Sequence, residues 1–434
     1  MAQQQQRVLP NLYRDAQRIL PHEELDRYTP GGFHPVNLGD TFQGGRYTIR
    51  HKLGYGGFST VWLAHDQDIK QWVSIKVKSA VASTEELDQD PEISILKQLE
   101  ERYTESSQKK PRSCVQLLDY FHHVGPNGTH NCLVTELLGP PLCAVLECYE
   151  YREETLRPDT VLRASIQLLD ALTSLNQTGF AHGDISNANV AFTCKNVTEC
   201  EEDLFYAIGD PVTADYTNTE IPWSPELPKH LVQVTLWPDW CEASNEDFRL
   251  LDLGEAFPVG DTVTGIAQPR NVRSPETFFI GSFNYQHDLW RAGCVIYSLH
   301  YQKRPFVAYW REDPFFVRML IMKLGPLPEE WQSKWEEMQS QHPEDSDQPP
   351  LEPITQTFEP RRKAILSSCE EDDGEYEKDD YTEHDYAALG SLIGVILGLL
   401  QYQPDKRLSA NEAASYIRSV WTDYRREHEI ESPR

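Results

Sequence analysis

The sequence predicts an α+β chain of two lobes, a small β-rich one followed by a larger helical one, on three observations. Between Arg46 and Leu137, apolar residues alternate in short runs divided by turn residues, the period of strands. From Asp159 onward they recur every three or four residues, the period of buried helix faces. A chain of 434 residues, 39% apolar and 11% aromatic, can fill cores of that extent, which excludes a wholly disordered polymer.

Residues 1–45 are mixed polar, with Pro30, Gly31, Gly32 and Pro35, and predict an extended lead-in. Its first residues lack the apolar segment of a secretory signal and read as a mobile tail. Tyr47, Ile49, Val61, Leu63, Val73, Ile75 and Val77 predict the strands of a first lobe over 46–136. Ile93, Leu96 and Leu99 predict a helix over Pro91–Leu99. The runs Val115–Phe121 and Cys132–Leu137 flank Gly125-Pro-Asn-Gly128 and predict a hairpin. The second lobe, 137–428, begins with a helix capped by Asp159 and carrying Val161, Leu162, Ile166, Leu169, Leu172 and Leu175. Two insertions interrupt this lobe. About 193–248 is polar and proline-containing, with Trp223, Trp237 and Trp240. The second, 338–385, sets ten acids against one lysine between Glu370 and Asp385, the composition of a solvated loop. The longest apolar run, Ala387–Leu400, has fourteen residues. A bilayer needs ~20, so the run predicts a buried helix.

With 40 basic against 68 acidic residues the net charge is −28. That excludes a nucleic-acid binder working through a basic surface and favours cationic partners. The nine cysteines, odd in number and without a C-x-x-C pair, predict a reducing compartment. Cys194, Cys200 and Cys241 come nearest to a metal cluster, at a spacing unlike that of zinc sites.

The chemistry-bearing motifs are individually weak. Gly54-Tyr-Gly-Gly-Phe-Ser-Thr-Val61 lies between two predicted strands, where glycines serve plain turns as readily as phosphate loops. Lys76 ends the run Val73-Ser-Ile-Lys76, ordinarily an exposed strand position, and Glu92 begins the helix that follows. His182-Gly-Asp-Ile-Ser-Asn-Ala-Asn189 has the spacing H-x-D-x-x-x-x-N. In that pattern a carboxylate takes a hydroxyl proton and an amide oxygen binds Mg²⁺. Leu250-Leu-Asp-Leu-Gly254 is an apolar strand ending in Asp-x-Gly, where Asp252 either chelates a metal or only opens a turn. Ser274-Pro-Glu276, Asp288-Leu-Trp-Arg-Ala-Gly293 and Arg407 come after these. The whole series resembles the protein kinases in order, and that many matches in register are implausible by chance.

Tyr28-Thr-Pro-Gly-Gly-Phe-His-Pro-Val-Asn-Leu-Gly-Asp40, Arg46-Tyr47 and Lys52-Leu-Gly-Tyr-Gly-Gly-Phe-Ser-Thr-Val-Trp-Leu63 narrow the match. Over residues 28–425 the chain resembles the SR-protein kinases, as a divergent member of fungal type. Asp252-Leu-Gly in place of Asp-Phe-Gly, Arg273-Ser274 and the insertion ahead of Asp252 are similar to that family too. The resemblance implies a bilobal protein-kinase fold. It also implies ATP- and Mg²⁺-dependent transfer of the γ-phosphoryl group to Ser/Thr hydroxyls of Arg/Ser-rich, splicing-factor-type proteins. The enzyme so implied is a monomer of cytoplasm and nucleus, with no membrane or direct nucleic-acid partner.

Carried over residue by residue, the resemblance places Leu53, Gly54, Gly56, Gly57 and Val61 around the nucleotide. Lys76 engages its α- and β-phosphates, held by Glu92; Asp184 is the base; Asn189 and Asp252 are Mg²⁺ ligands. Thr135 is the gatekeeper, and Glu136 and Leu138 supply backbone hydrogen bonds to adenine. Arg407 pairs with Glu276. Glu312, Asp313, Glu329 and Glu330 fall where the family docks basic peptides, with carboxylates able to engage guanidinium groups.

Three positions depart from the pattern. Ser186 stands where Ser/Thr kinases carry lysine, two residues after the base, and Pro269 where the family places threonine. Those two side chains normally act together around the base, so their loss bears on rate and hydroxyl specificity. Gly183 replaces the arginine that pairs with an activation-loop phosphate, which implies activity independent of loop phosphorylation. Two other readings stay open. One is a pseudokinase scaffold that binds basic partners. The other is a small-molecule phosphotransferase of the aminoglycoside or choline kinase type, which shares H-G-D-x-x-x-x-N but lacks the Ser-Pro-Glu and Asp-x-Trp-x-x-Gly segments.

Overall fold

A computed structural model describes residues 12–105, 112–152, 154–218, 221–238, 240, 246–307, 313–341, 353–354 and 382–428. The class is α+β, as the two apolar periods predict. The chain forms two compact units, Met1–Pro140 with Phe192–Glu246, and Pro141–Ala191 with Asp247–Arg434.

The first unit is built on an antiparallel sheet of six strands: β1 (Thr41–Phe42), β2 (Tyr47–Tyr55), β3 (Ser59–Asp66), β4 (Gln71–Lys78), β5 (Leu117–Gly125) and β6 (Gly128–Glu136). Their spatial order is β1-β2-β3-β4-β6-β5. The period-two residues Tyr47, Ile49, Trp62, Ala64, Val73, Ile75 and Val77 share one buried cluster with Phe121, Cys132 and Val134. Helix α1 (Pro91–Glu105) runs beyond the predicted Leu99. Its first turn is capped by the Asp90 carboxylate, which accepts from the amides of Glu92 and Ile93.

The lead-in and the first insertion differ from their sequence reading. Leu12, Tyr13, Ala16, Ile19, Leu25, Tyr28 and Phe33 form a second apolar cluster with Ala214 and Leu231 of the insertion. The insertion contributes an antiparallel pair, β7 (Thr213–Asp215) and β8 (His230–Val232), and packs with the first unit rather than standing as an appendage of the helical lobe. Tyr13 donates its hydroxyl to the Pro228 carbonyl at 2.6 Å, and Asn127 Nδ2 donates to the carbonyls of Phe33 and Glu226. The physical reason is burial of apolar surface: each segment alone is too short to bury its aromatics, and together they do.

The second unit is helical. Helix α2 (Pro158–Gln177) carries the predicted apolar face, but Arg157 rather than Asp159 occupies the N-cap and Pro158 the first turn. Asp159 instead accepts from Trp421 Nε1 at 2.7 Å, on the last helix, Ala410–Glu427. Helix α3 (Gln286–Tyr301) is buried almost end to end. Ala387–Leu400 is apolar and buried as expected, but it is divided between helices Glu383–Gly390 and Leu392–Leu399. No helix among the described residues is long and apolar enough to cross a membrane. Of the insertion at 338–385, residues 342–352 and 355–381 lie outside the described residues.

Candidate active site

In the first unit the Gly-rich segment is the β2–β3 hairpin. Gly54 pairs with Val61, and the Gly56 amide donates to the Ser59 carbonyl at 2.9 Å. A Cβ at Gly54, Gly56 or Gly57 would meet open space, and none of the three has a positive φ. Nothing inside the chain therefore requires glycine there. The side chains are missing where a group outside the chain would approach the backbone, which fits a phosphate-bearing ligand.

Lys76 lies across β3 from Val61 and across β6 from Leu133. Its Nζ is 2.7 Å from Glu92 Oε1. A second pair stands beside it: Lys78 Nζ lies 2.8 Å from both Asp90 oxygens and 3.4 Å from Glu92 Oε2. Burial would push the Asp90 carboxyl up, but Lys78, Asn131 and the helix amides together hold it below its ordinary value. The cap of α1 thus also fixes Lys78 on β4. At the end of β6, Thr135 faces Ser74 and Leu117, and Glu136 exchanges backbone and side-chain bonds with Gln116. Its amide is committed to the Gln116 carbonyl at 3.0 Å. Leu138 lies in a short strand, Leu138–Pro141, and Leu53 lies in β2.

In the second unit the loop His182–Asn189 is anchored by helix Gln286–Tyr301. The amides of His182 and Gly183 donate to the two Asp288 oxygens at 2.6 and 3.0 Å. His182 Nε2 faces the Leu251 carbonyl at 3.0 Å, while its Nδ1 accepts from the Asp184 amide at 3.1 Å, which assigns the neutral ring its proton on Nε2. Asn189 Nδ2 donates to the Asp184 carbonyl and to its Oδ2, at 2.7 and 2.9 Å. Gly183 explains one departure. Its φ is +80°, and a Cβ there would lie 2.4 Å from the Glu255 carbonyl oxygen. No side chain fits without moving backbone.

Asp252 has φ 61° and ψ 76°, a left-handed conformation that few non-glycine residues adopt and that recurs at functional positions. Burial raises the Asp184 carboxyl above its ordinary value, the Asp252 charge adds to this, and Arg291 and Asn189 oppose it. Glu255 is raised as well, by burial and then by Asp184 and Asp252. Asp184 and Glu255 are thus each raised in part by the Asp252 charge, and carboxyls grouped in this way suit a cation. Among the described residues no group of three or more His, Cys, Asp or Glu is arranged to hold a metal alone. That is compatible with Mg²⁺, which takes one or two protein oxygens and completes its shell with water and phosphate.

Sequence reasoning did not single out Glu255 or Asp90, nor did it give Arg291 or His287 a role. Glu255 stood one residue beyond Asp252-Leu-Gly254, and Arg291 inside a quoted motif. The predicted Arg407–Glu276 pair is present, bidentate at 2.6 and 2.7 Å and fully buried. Of the proposed docking acids, Glu312 lies outside the described residues. Asp313 is engaged by Arg273 Nη1 at 2.6 Å, Glu330 meets Gln403 Nε2, and Glu329 is exposed. Cys194 is buried against the Leu137 carbonyl and Cys200 caps helix Glu201–Ile208, so the two do not converge.

No family model matches the chain. It is 39% identical over 176 residues to protein kinase dsk1 of Schizosaccharomyces pombe, a match covering 40% of this chain and 31% of that protein. With serine/threonine-protein kinase SRPK of Physarum polycephalum it shares 26% identity over 419 residues, covering 91% and 90% of the two chains. With human SRSF protein kinase 3 it shares 43% over 120 residues, covering 28% and 20%. The chain thus spans less than a third of the fission-yeast relative, while the slime-mould match runs nearly end to end.

Proposed function

The chain is homologous to the SR-protein kinases, and from that premise we propose that it transfers the γ-phosphoryl group of ATP to Ser/Thr hydroxyls on Arg/Ser-rich proteins. The observation that carries the reading is the Asp184–Asn189 hydrogen-bonded pair beside Asp252, in a loop pinned by Asp288. Asp184 accepts the proton of the attacking hydroxyl, and its burial makes it a better base than a solvated carboxylate. Lys76, oriented by Glu92, engages the α- and β-phosphates, and the open backbone at Gly54, Gly56 and Gly57 lies over them. Leu53 and Val61 flank the base. Because the Glu136 amide is already bonded, its carbonyl is the group that serves adenine, together with the Leu138 amide, next to Thr135 as gatekeeper. Asn189 and Asp252 would hold Mg²⁺, which when bound neutralises charge on the phosphates.

The acidic chain suits an arginine-rich substrate, since each guanidinium can take a carboxylate bidentately. The test is transfer from radiolabelled Mg-ATP to an Arg-Ser peptide, to the same peptide with every serine replaced by alanine, and to an aminoglycoside. Label on the first alone is expected. Label on the aminoglycoside would favour a small-molecule phosphotransferase, and ATP binding without any transfer would favour a scaffold.

A further inference from the structure

Ser186 and Pro269 remove the two side chains that in the related kinases act around the base, yet Asp184 has a cation. Arg291 of helix α3 (Gln286–Tyr301) has a fully buried side chain. Its Nη1 lies 3.4 Å from Asp184 Oδ1 and donates to the Ile185 carbonyl at 3.1 Å. Its Nη2 donates to the Ala267 carbonyl at 2.6 Å, two residues before Pro269. Its Nε donates to His287 Nε2 at 3.1 Å, and the opposite ring nitrogen of His287 lies 2.9 Å from Ser274 Oγ. One guanidinium therefore touches the catalytic loop and the loop before the Ser-Pro-Glu segment, and reaches Ser274 through one imidazole.

Burying a guanidinium is costly, and an apolar side chain in its place would often be as stable. The fork geometry is what an apolar residue cannot supply. Asp184 is held on both oxygens, Oδ2 by Asn189 and Oδ1 by Arg291, so its plane is fixed before substrate arrives. We propose that Arg291 is a positioning residue that replaces, from beneath the loop, the missing lysine and threonine: it orients Asp184 and ties the catalytic loop to the loop at Ala267. This rests on the protein-kinase reading, and the experiment separates the two.

The test compares wild type with Arg291→Met, Arg291→Lys and Arg291→Met combined with Ser186→Lys. Each is measured for kcat, for KM of peptide and of ATP, and for amide hydrogen exchange over 183–189 and 265–270. Arg291→Met should lower kcat by about 10- to 100-fold and leave the ATP KM within about twofold. Adding Ser186→Lys should recover at least fivefold of the loss, which a merely structural arginine would not allow. Exchange should rise in both loops together. If Arg291→Met does not fold, Arg291→Lys carries the test. It keeps the charge but cannot span both loops, so kcat should still fall and Ser186→Lys should still recover part of it. A folded Arg291 variant with kcat within twofold of wild type, or a loss that Ser186→Lys does not recover, overturns the proposal. A wild type that transfers no phosphate overturns the kinase reading instead. Exchange then decides alone: joint loosening of the two loops supports the tie, and unchanged exchange refutes it.

Discussion

The charged groups around Lys76 and those around Asp184 are brought together across very different distances in sequence. In the first unit two lysines, Lys76 and Lys78, meet two acids, Asp90 and Glu92, with Lys76 and Glu92 only 16 residues apart in sequence. The pairs are local. In the second unit Asp184, Asp252 and Glu255 stand near one another, and an arginine that touches Asp184 comes from 107 residues away. Local pairs hold a strand to the helix that follows it, whereas the carboxyls of the second unit are brought together by tertiary packing, where burial and like charge raise Asp184 and Glu255 above their ordinary values, as perturbed groups at functional positions often are.

The strongest way to break this comparison is Asp184→Asn. If the Asp184 assembly is catalytic, the variant loses on the order of 10³–10⁴-fold in kcat, the upper range for a positioned base, with ATP affinity nearly intact. Its thermal stability should not rise, because the substitution relieves repulsion from Asp252 but also takes the carboxylate partner from the buried Arg291 guanidinium. Turnover measurements beside calorimetry check both. Near-normal turnover removes Asp184 from the mechanism.

A second comparison lies inside the first unit. Lys52 and Glu23 form a buried ion pair joining β2 to the lead-in, with the Tyr28 hydroxyl also on Glu23. Burial opposes both charges, but Lys52 holds the Glu23 carboxyl below its ordinary value. A depressed carboxylate contributes stability that is present above the ordinary carboxylate range and is lost as pH falls through the folded value. Glu23→Gln leaves a buried lysine unpaired, at a cost of about 3–5 kcal/mol, and should flatten the acid limb of the stability curve. Urea unfolding at several pH values measures this. A variant as stable as wild type, with an unchanged acid limb, would show that the pair contributes nothing.

How much was legible in the sequence follows the same division. The strands and the β5–β6 hairpin rest on neighbours in sequence, so their period foretold them, while the Lys76–Glu92 pair came from the resemblance to the protein kinases. The lead-in did not read as structure because its partners, Ala214, Pro228 and Leu231, lie some 200 residues on. Asp159 read as a cap because its residue type favours caps, but Pro158 already fixes the first turn and Trp421 claims the carboxylate. Gly183 and Ser186 read as losses. What the sequence could not supply was the Glu255 carbonyl above Gly183 and the guanidinium beneath Asp184, both set by tertiary packing.

The smallest effect concerns the acidic surface, where exposure sets the scale. Glu329 and Glu330 are exposed, and we propose that they contribute to docking arginine-rich peptides. Exposed ion pairs are worth ~0.2–1 kcal/mol each, so reversing both to lysine should raise the peptide KM only several-fold and leave the ATP KM alone. The effect should shrink between low and physiological salt, because the charges are screened over about 8–10 Å. Asp313 is a poor choice for the same test, since Arg273 already engages it and a lysine there would face a cation. Peptide KM measured at two ionic strengths decides the matter. Insensitivity to both the reversal and the salt would leave these acids a role in solubility alone, and would place recognition of the substrate in charges closer to Asp184.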